Sequence, residues 1–256
     1  MKKTSLALFL PVVLLCSGGI ATAQPAPAPA APPAAAAPAL TVEQKNQAGY
    51  EKHTKEVTDA LKLDDAAKAA KVHDIMAAQF AAWKAWHTKN DAQLKDLWAE
   101  WNKARNTKNQ TNIDNAVAAI DAAYATLKPQ HAEFIAKLAA VLTPAQIETV
   151  EDTLTINKVR ITFNAYGEIF PGLKDEQKAF ILKKLKAARE EAIDAGDMKE
   201  KSSFFKMYKD QIEAYLTSQG YDVKQSYKDF GAKQKAAAAA KKSAQPDAKP
   251  ADDSKE

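Results

Sequence analysis

Between Val72 and Trp101 the apolar side chains return every three or four residues: Val72, Ile75, Met76, Phe80, Trp83 and Trp86, then Leu94, Leu97, Trp98 and Trp101. That spacing follows one face of an α-helix and does not fit the two-residue alternation of a half-buried strand. Further along, Ile113, Ile120, Tyr124 and Leu127 keep the same period, and Phe134, Leu138 and Val141 extend it past Pro129. Only 8 glycines occur in 256 residues, so tight turns are few. The expected fold class is all-α, a bundle of about six to eight helices with disordered N- and C-terminal segments.

The helix starts are written locally. In "LTPAQI" (142–147) Thr143 caps, Pro144 suits the first helical position, and Gln146 reaches back as the partner of a capping box. Leu142 and Ile147 close a hydrophobic staple. "LTVEQ" (40–44) repeats the box, while "LKDEQ" (173–177) is a degraded copy with Lys174 at the cap position. Between the last two boxed helices lies a β-branched patch. There Ile156, Val159, Phe163, Tyr166 and Phe170 keep helical spacing, while Thr155, Ile161 and Thr162 weaken it. A short, irregular helix is expected, an isolated strand being the lesser alternative, with "FPGL" (170–173) as a break. Gly196 and Gly220 are placed to end the next two helices, and 221–230 is a last short element. The first helix is expected over 41–61 and the second from near Asp64. A turn near Asn90–Gln93 folds the second and third helices into an antiparallel hairpin, which "NTKNQTN" (106–112) ends. In that register Trp83 faces Trp101 and Trp86 faces Trp98.

The N-terminus reads as a secretory signal: basic Lys2 and Lys3, apolar "SLALFLPVVLL", and Ala21-Thr22-Ala23 before Gln24. Its apolar run is shorter than the roughly 20 residues of a membrane span. A lipoprotein signal at Cys16 is the alternative, but Leu15 is bulky where that processing wants a small residue. The expected organisation is a signal peptide (1–23), a Pro/Ala-rich linker (24–39), an all-α domain (40–230) and a Lys/Ala-rich disordered tail (231–256), in a periplasmic or secreted protein. Cys16 is the sole cysteine, so cleavage leaves no disulfide and no thiolate chemistry. The formal charge of +4 falls to +2 without Lys2 and Lys3, and six Lys against four acids in 231–256 account for the rest. Residues 24–230 are therefore neutral, which argues against nucleic acid as a partner.

Chemical motifs are sparse. His53, His73, His87 and His131 include no pair four apart, and His73 and His87 stand about 21 Å apart along one helix, so no metal site is expected. No GxSxG, Walker or GxGxxG loop occurs, and neither catalytic residues nor a cofactor are expected. In "REEAID" (189–194) Glu190 and Asp194 share a face, and solvated helix charge is the expected reading. The tryptophans are the most specific feature. Aromatic pairing in an alanine-rich core accounts for them; the functional alternative is a partly open face that stacks on sugar rings or holds apolar segments. On that alternative the ligand-binding candidates are Trp83, Trp86, Trp98 and Trp101, with Tyr166 and Tyr208.

Three blocks, "LKPQHAEFIAKLAAVLTPAQIETVEDTLT", "FNAYGEIFPGLKDEQKAFILKKLKAAREEAIDAGDMKEK" and "FFKMYKDQIEAYLTSQGYD", resemble the secreted bacterial family called domain of unknown function 3826, over roughly 55–225. The resemblance implies an exported helical protein with no established catalytic residues, from a family often found in bacteria that degrade plant polysaccharide. Leu40-Thr41-Val42-Glu43-Gln44 and Leu142-Thr143-Pro144-Ala145-Gln146 are also similar to the Leu-Thr-x-x-Gln motifs of the Spy and CpxP periplasmic chaperones. The leading expectation is a non-enzymatic binding or chaperone-like protein whose partners are unfolded or envelope proteins. The rival is a carbohydrate-active accessory or enzyme acting on oligosaccharides, and the third reading is a structural envelope spacer.

Overall fold

A computed structural model describes residues 41–244; the expected signal peptide, Cys16, the Pro/Ala linker and 245–256 lie outside the described residues. Among the described residues the chain is all-helical, with α1 (Val42–Leu61), α2 (Ala66–Thr107), α3 (Gln110–Tyr124), α4 (Lys128–Ala139), α5 (Pro144–Leu154), α6 (Lys158–Ile169), α7 (Asp175–Ile193), α8 (Met198–Ser218) and α9 (Val223–Ala244). None of these helices is long and apolar enough to cross a membrane.

The expected hairpin does not form. Residues 66–107 are one helix of 42 residues, about 63 Å long. Asn90–Gln93 contains neither Gly nor Pro, and the Asn90 side chain donates back to the Trp86 carbonyl at 2.7 Å, which lets the helix run on. Counting only apolar residues left a gap between Trp86 and Leu94. His87, 6% exposed, fills it and completes the buried row Trp83, His87, Leu94, Trp98 and Trp101. Trp83 and Trp101 therefore stand about 27 Å apart on one rod and do not pair.

Capping chemistry places the other helices. Thr143 Oγ1 accepts from the Gln146 N–H (3.3 Å) while Gln146 Oε1 accepts from the Thr143 N–H (3.1 Å), and Thr41 and Gln44 repeat the exchange. At α7 a lysine ammonium has no acceptor, so only the return half survives, from the Lys174 N–H to Gln177 Oε1 at 2.9 Å. Gly220 (φ 91°) closes α8: its own N–H donates to the Thr217 carbonyl and that of Tyr221 to Leu216, the pattern of a Schellman motif. The same motif ends α5, with Ile156 (φ 49°) where glycine is usual and Asn157 (φ 55°) after it. The β-branched patch is thus a left-handed joint between two short helices, not a strand. Left-handed backbone at a β-branched residue costs about 1–3 kcal/mol, and Ile156 also leaves its side chain 46% exposed.

Gly196 does mark a boundary, but for another reason. Its φ is not positive; instead, a Cβ added there would lie 2.6 Å from His87 Nδ1. Glycine lets the α7–α8 link press against a buried imidazole. We expect Gly196→Ala to lower stability by about 1–3 kcal/mol, read as a lower urea midpoint at unchanged m-value; an unchanged midpoint would show that the ring gives way freely.

The element expected to end at Phe230 continues, because "AKQKAAAAAKK" is rich in strong helix formers, and α9 reaches Ala244. Residues 231–244, expected as disordered tail, are helical.

The core lies around α2 and α7. Ile181, Leu185, Ala188, Ala192 and Ile193 give α7 a face with no solvent exposure, and Val72, Met76 and Leu94 do the same for α2. Each fully buried Leu, Ile or Phe contributes about 1.5–3 kcal/mol.

Candidate functional site

Where α7 ends, its charged run turns inward. Arg189 follows Leu185 by four and precedes Ala192 by three, so it lies on the buried stripe, 4% exposed. It meets four carboxylates: Asp152 (2.8 Å), Glu190 (3.2 Å), Glu148 (3.5 Å) and, at shorter range, Glu151. Burial pushes the Glu151 carboxyl up to about 7 despite Arg189, with the charge of Glu190 adding to the rise. The expectation of a solvated helix face at 189–194 is therefore corrected.

One turn on, Asp194 gathers three side chains from two helices. Trp83 Nε1 of α2 donates to its Oδ1 at 2.9 Å, His131 Nδ1 of α4 lies 3.1 Å from its Oδ2, and His87 Nε2 lies 2.8 Å from its carbonyl. The other nitrogen of His131 faces Glu190 at 3.7 Å. Hydrogen bonding to Asp194, then to Glu190, raises His131 to about 10, so it is an imidazolium clamped between two carboxylates at neutral pH. Burial works against the ionised form of Glu190, yet His131 and Arg189 hold its carboxyl below the ordinary range.

This network forms one wall of a cavity of about 150 Å³ lined by Asp121, Tyr124, Lys128, His131, Glu190, Glu191, Asp194 and Phe204. Tyr124 donates to Glu200 (3.0 Å), and Tyr208 donates to Glu191 (2.7 Å). Burial raises the carboxyl pKa of both Asp121 and Glu191, and Asp121 adds to the rise at Glu191. Rings close the other side in a chain: Trp86 to Tyr124 at 5.3 Å, Tyr124 to Phe204 at 5.1 Å, and Phe204 to Trp98 at 5.0 Å. A larger groove of about 510 Å³ runs between α1 and α2. Ala77, Ala81 and Ala85 line it beside Thr54, and its charged Glu51 and Lys89 are exposed to solvent.

The structure brings Trp83, Trp86, Trp98 and Tyr208 to this region, but as second-row supports and not as an open face. Trp83 and Trp98 are buried, and half-buried Trp86 donates to Thr126 Oγ1 at 3.0 Å. Trp101 is 1% exposed, with Arg105 and Lys206 about its ring, and belongs to the core. Tyr166, also 1% exposed, stacks on Phe170 and takes no part in the cavity. Sequence reasoning missed Asp121, His87, His131 and Arg189. The signal for His87 and Arg189 was a polar residue on an apolar stripe. Among the described residues no group of three or more His, Cys, Asp or Glu is arranged to hold a metal ion.

Fold and site together define a helical-bundle protein with a charged, aromatic-walled cavity. Residues 47–236 match the family described as protein of unknown function (DUF3826), and the chain belongs to it. No curated protein matches the sequence. The chaperone likeness gains no support, because Thr41/Gln44 and Thr143/Gln146 serve as capping boxes.

Proposed function

We propose that this chain is an exported, non-enzymatic protein that binds a small polar molecule in the cavity between α3, α4, α7 and α8. The observation that carries the reading is the lining itself: carboxyl groups and a lysine facing Tyr124 and Phe204 around a cavity of about 150 Å³. Few polar groups placed among aromatic walls are what orient small ligands. A chaperone acting through open apolar faces has less behind it. Among the described residues Ile156, Ile161 and Met198 are the exposed large hydrophobics, and the tryptophans point inward.

The test is tryptophan emission, since Trp83 and Trp86 touch residues of the wall. A panel of sugars, polyols, amines and organic acids is titrated into the wild type and into Asp121→Trp, which fills the cavity mouth from an exposed position. A saturable change in the wild type, lost in the variant at unchanged melting temperature, is expected. Saturation that survives in the variant, or none with any compound, rules the reading out. Export is tested by the N-terminal residue of envelope-fraction protein, expected to be Gln24.

A carbohydrate-active role is supported by the same rings and by carboxyls of opposed proton affinity, Glu190 held down and Glu191 pushed up. Release of reducing ends from a plant-polysaccharide panel, abolished in Glu191→Gln, would favour it.

A further inference from the structure

We propose that the guest of this cavity is a small organic cation, an ammonium on a compact ring or short chain; this rests on the small-molecule-binding reading above. The first ground is the balance of donors and acceptors. The Tyr124 hydroxyl is given to Glu200, that of Tyr208 to Glu191, the Trp83 indole to Asp194, and the His131 nitrogens to Asp194 and Glu190. Among the side chains lining the cavity, Lys128 is left as a donor, and behind the rings the buried Trp98 indole N–H has no partner either. Acceptors are in surplus. The exposed Asp121 carboxyl enters no hydrogen bond or ion pair with another side chain, and the Glu191 side chain accepts one hydrogen bond although a carboxylate offers about four lone-pair sites. A guest must therefore bring donors.

Charge is the second ground. In the lining Asp121, Glu190, Glu191 and Asp194 outnumber Lys128 and His131, and Arg189 behind Glu190 is shared with Glu148, Glu151 and Asp152, so the lining is formally negative. An anion meets Asp121 and Glu191, which no ion pair neutralises, whereas a cation relieves their mutual repulsion.

The third ground does not depend on the acids. Tyr124 and Phe204, 7% and 1% exposed, put aromatic rings on the wall, and such rings attract a desolvated cation and pack against its C–H groups. Size sets the limit: about 150 Å³ is the space of roughly five waters, enough for one ring and not for a chain of sugars.

The test is calorimetry on the full chain near pH 6, where the amines are charged. Glucosamine, glucose and glucuronate vary charge at near-constant shape, and cyclohexylamine keeps the ring without hydroxyls. Glucosamine and cyclohexylamine are expected to bind, glucose at least about tenfold more weakly, and glucuronate without measurable heat. Asp121→Asn is expected to weaken both amines about tenfold at unchanged melting temperature. Glucose binding as tightly as glucosamine overturns the cation assignment and leaves the binding reading standing. Amines that bind Asp121→Asn as they bind the wild type place the site elsewhere and also overturn it. If no probe binds and the broader emission panel is silent, both readings fall together.

Discussion

Replacing Arg189 by methionine lowers stability at neutral pH by about 3–5 kcal/mol, the cost of stranding buried charges without their partner. Arg189 is 4% exposed and joins Glu148, Glu151 and Asp152 from α5 to Glu190 on α7. Methionine keeps the volume of the stem and removes the guanidinium, so a cavity does not account for the loss. The variant also acquires a characteristic pH dependence. Without Arg189 the Glu151 carboxyl, already at about 7, rises further above the unfolded value of about 4.3, and Glu190 loses one of the two cations that hold it down. The folded state then binds more protons than the unfolded one, so stability falls as pH climbs through that window. The deficit is therefore smallest near pH 4.5 and grows with pH, the share of Glu151 opening only above its wild-type value of about 7. Urea midpoints across this range measure it, and a deficit under about 1 kcal/mol at pH 7 would mean the pairs are solvated after all.

His131→Gln reports on the other half of the network. Held up to about 10 by Asp194 and Glu190, His131 gains its proton more readily in the fold than in the unfolded chain. Its contribution is whole below the unfolded value of about 6.5, shrinks as pH rises, and is gone once pH has passed through 10. The side chain is partly open to water, so screening reduces the contribution to about 2 kcal/mol. The stability difference between wild type and His131→Gln is expected to be largest near pH 6 and to vanish above pH 10. Taking the difference cancels groups common to both proteins, including Lys201, which burial lowers to about 8. A difference that does not change with pH would show His131 neutral in the fold.

How much of this was legible in the sequence depends on which physical signal each feature leaves. The all-helical class, the Thr41 and Thr143 boxes, the restart at Pro129 and the Gly220 terminus all follow from neighbours within five residues, and these stand. The expected turn near Asn90–Gln93 fails because the apolar stripe breaks between Trp86 and Leu94, where a buried imidazole with two partners, His87, keeps the helix intact. Gly196 was read as conformational when its role is to keep space for a ring over 100 residues away. The site was illegible for the same reason. Asp121, His131, Glu190 and Asp194 lie on three helices, and no spacing rule brings them together; only tertiary packing does. Trp83 was picked for its ring, but its indole N–H on Asp194 ties it to the cavity.

Because α2 has no joint, its two ends share one rotational phase. An extra alanine placed after Asn90 would be absorbed in a loop at almost no cost. In a continuous rod it turns everything downstream by about 100°, swinging Leu94, Trp98 and Trp101 away from α8 while Trp83 and His87 stay docked on Asp194. Of all single-residue length changes in the chain, this one should be among the least tolerated, although it falls on a solvent-facing stretch where alignments would ordinarily permit a gap.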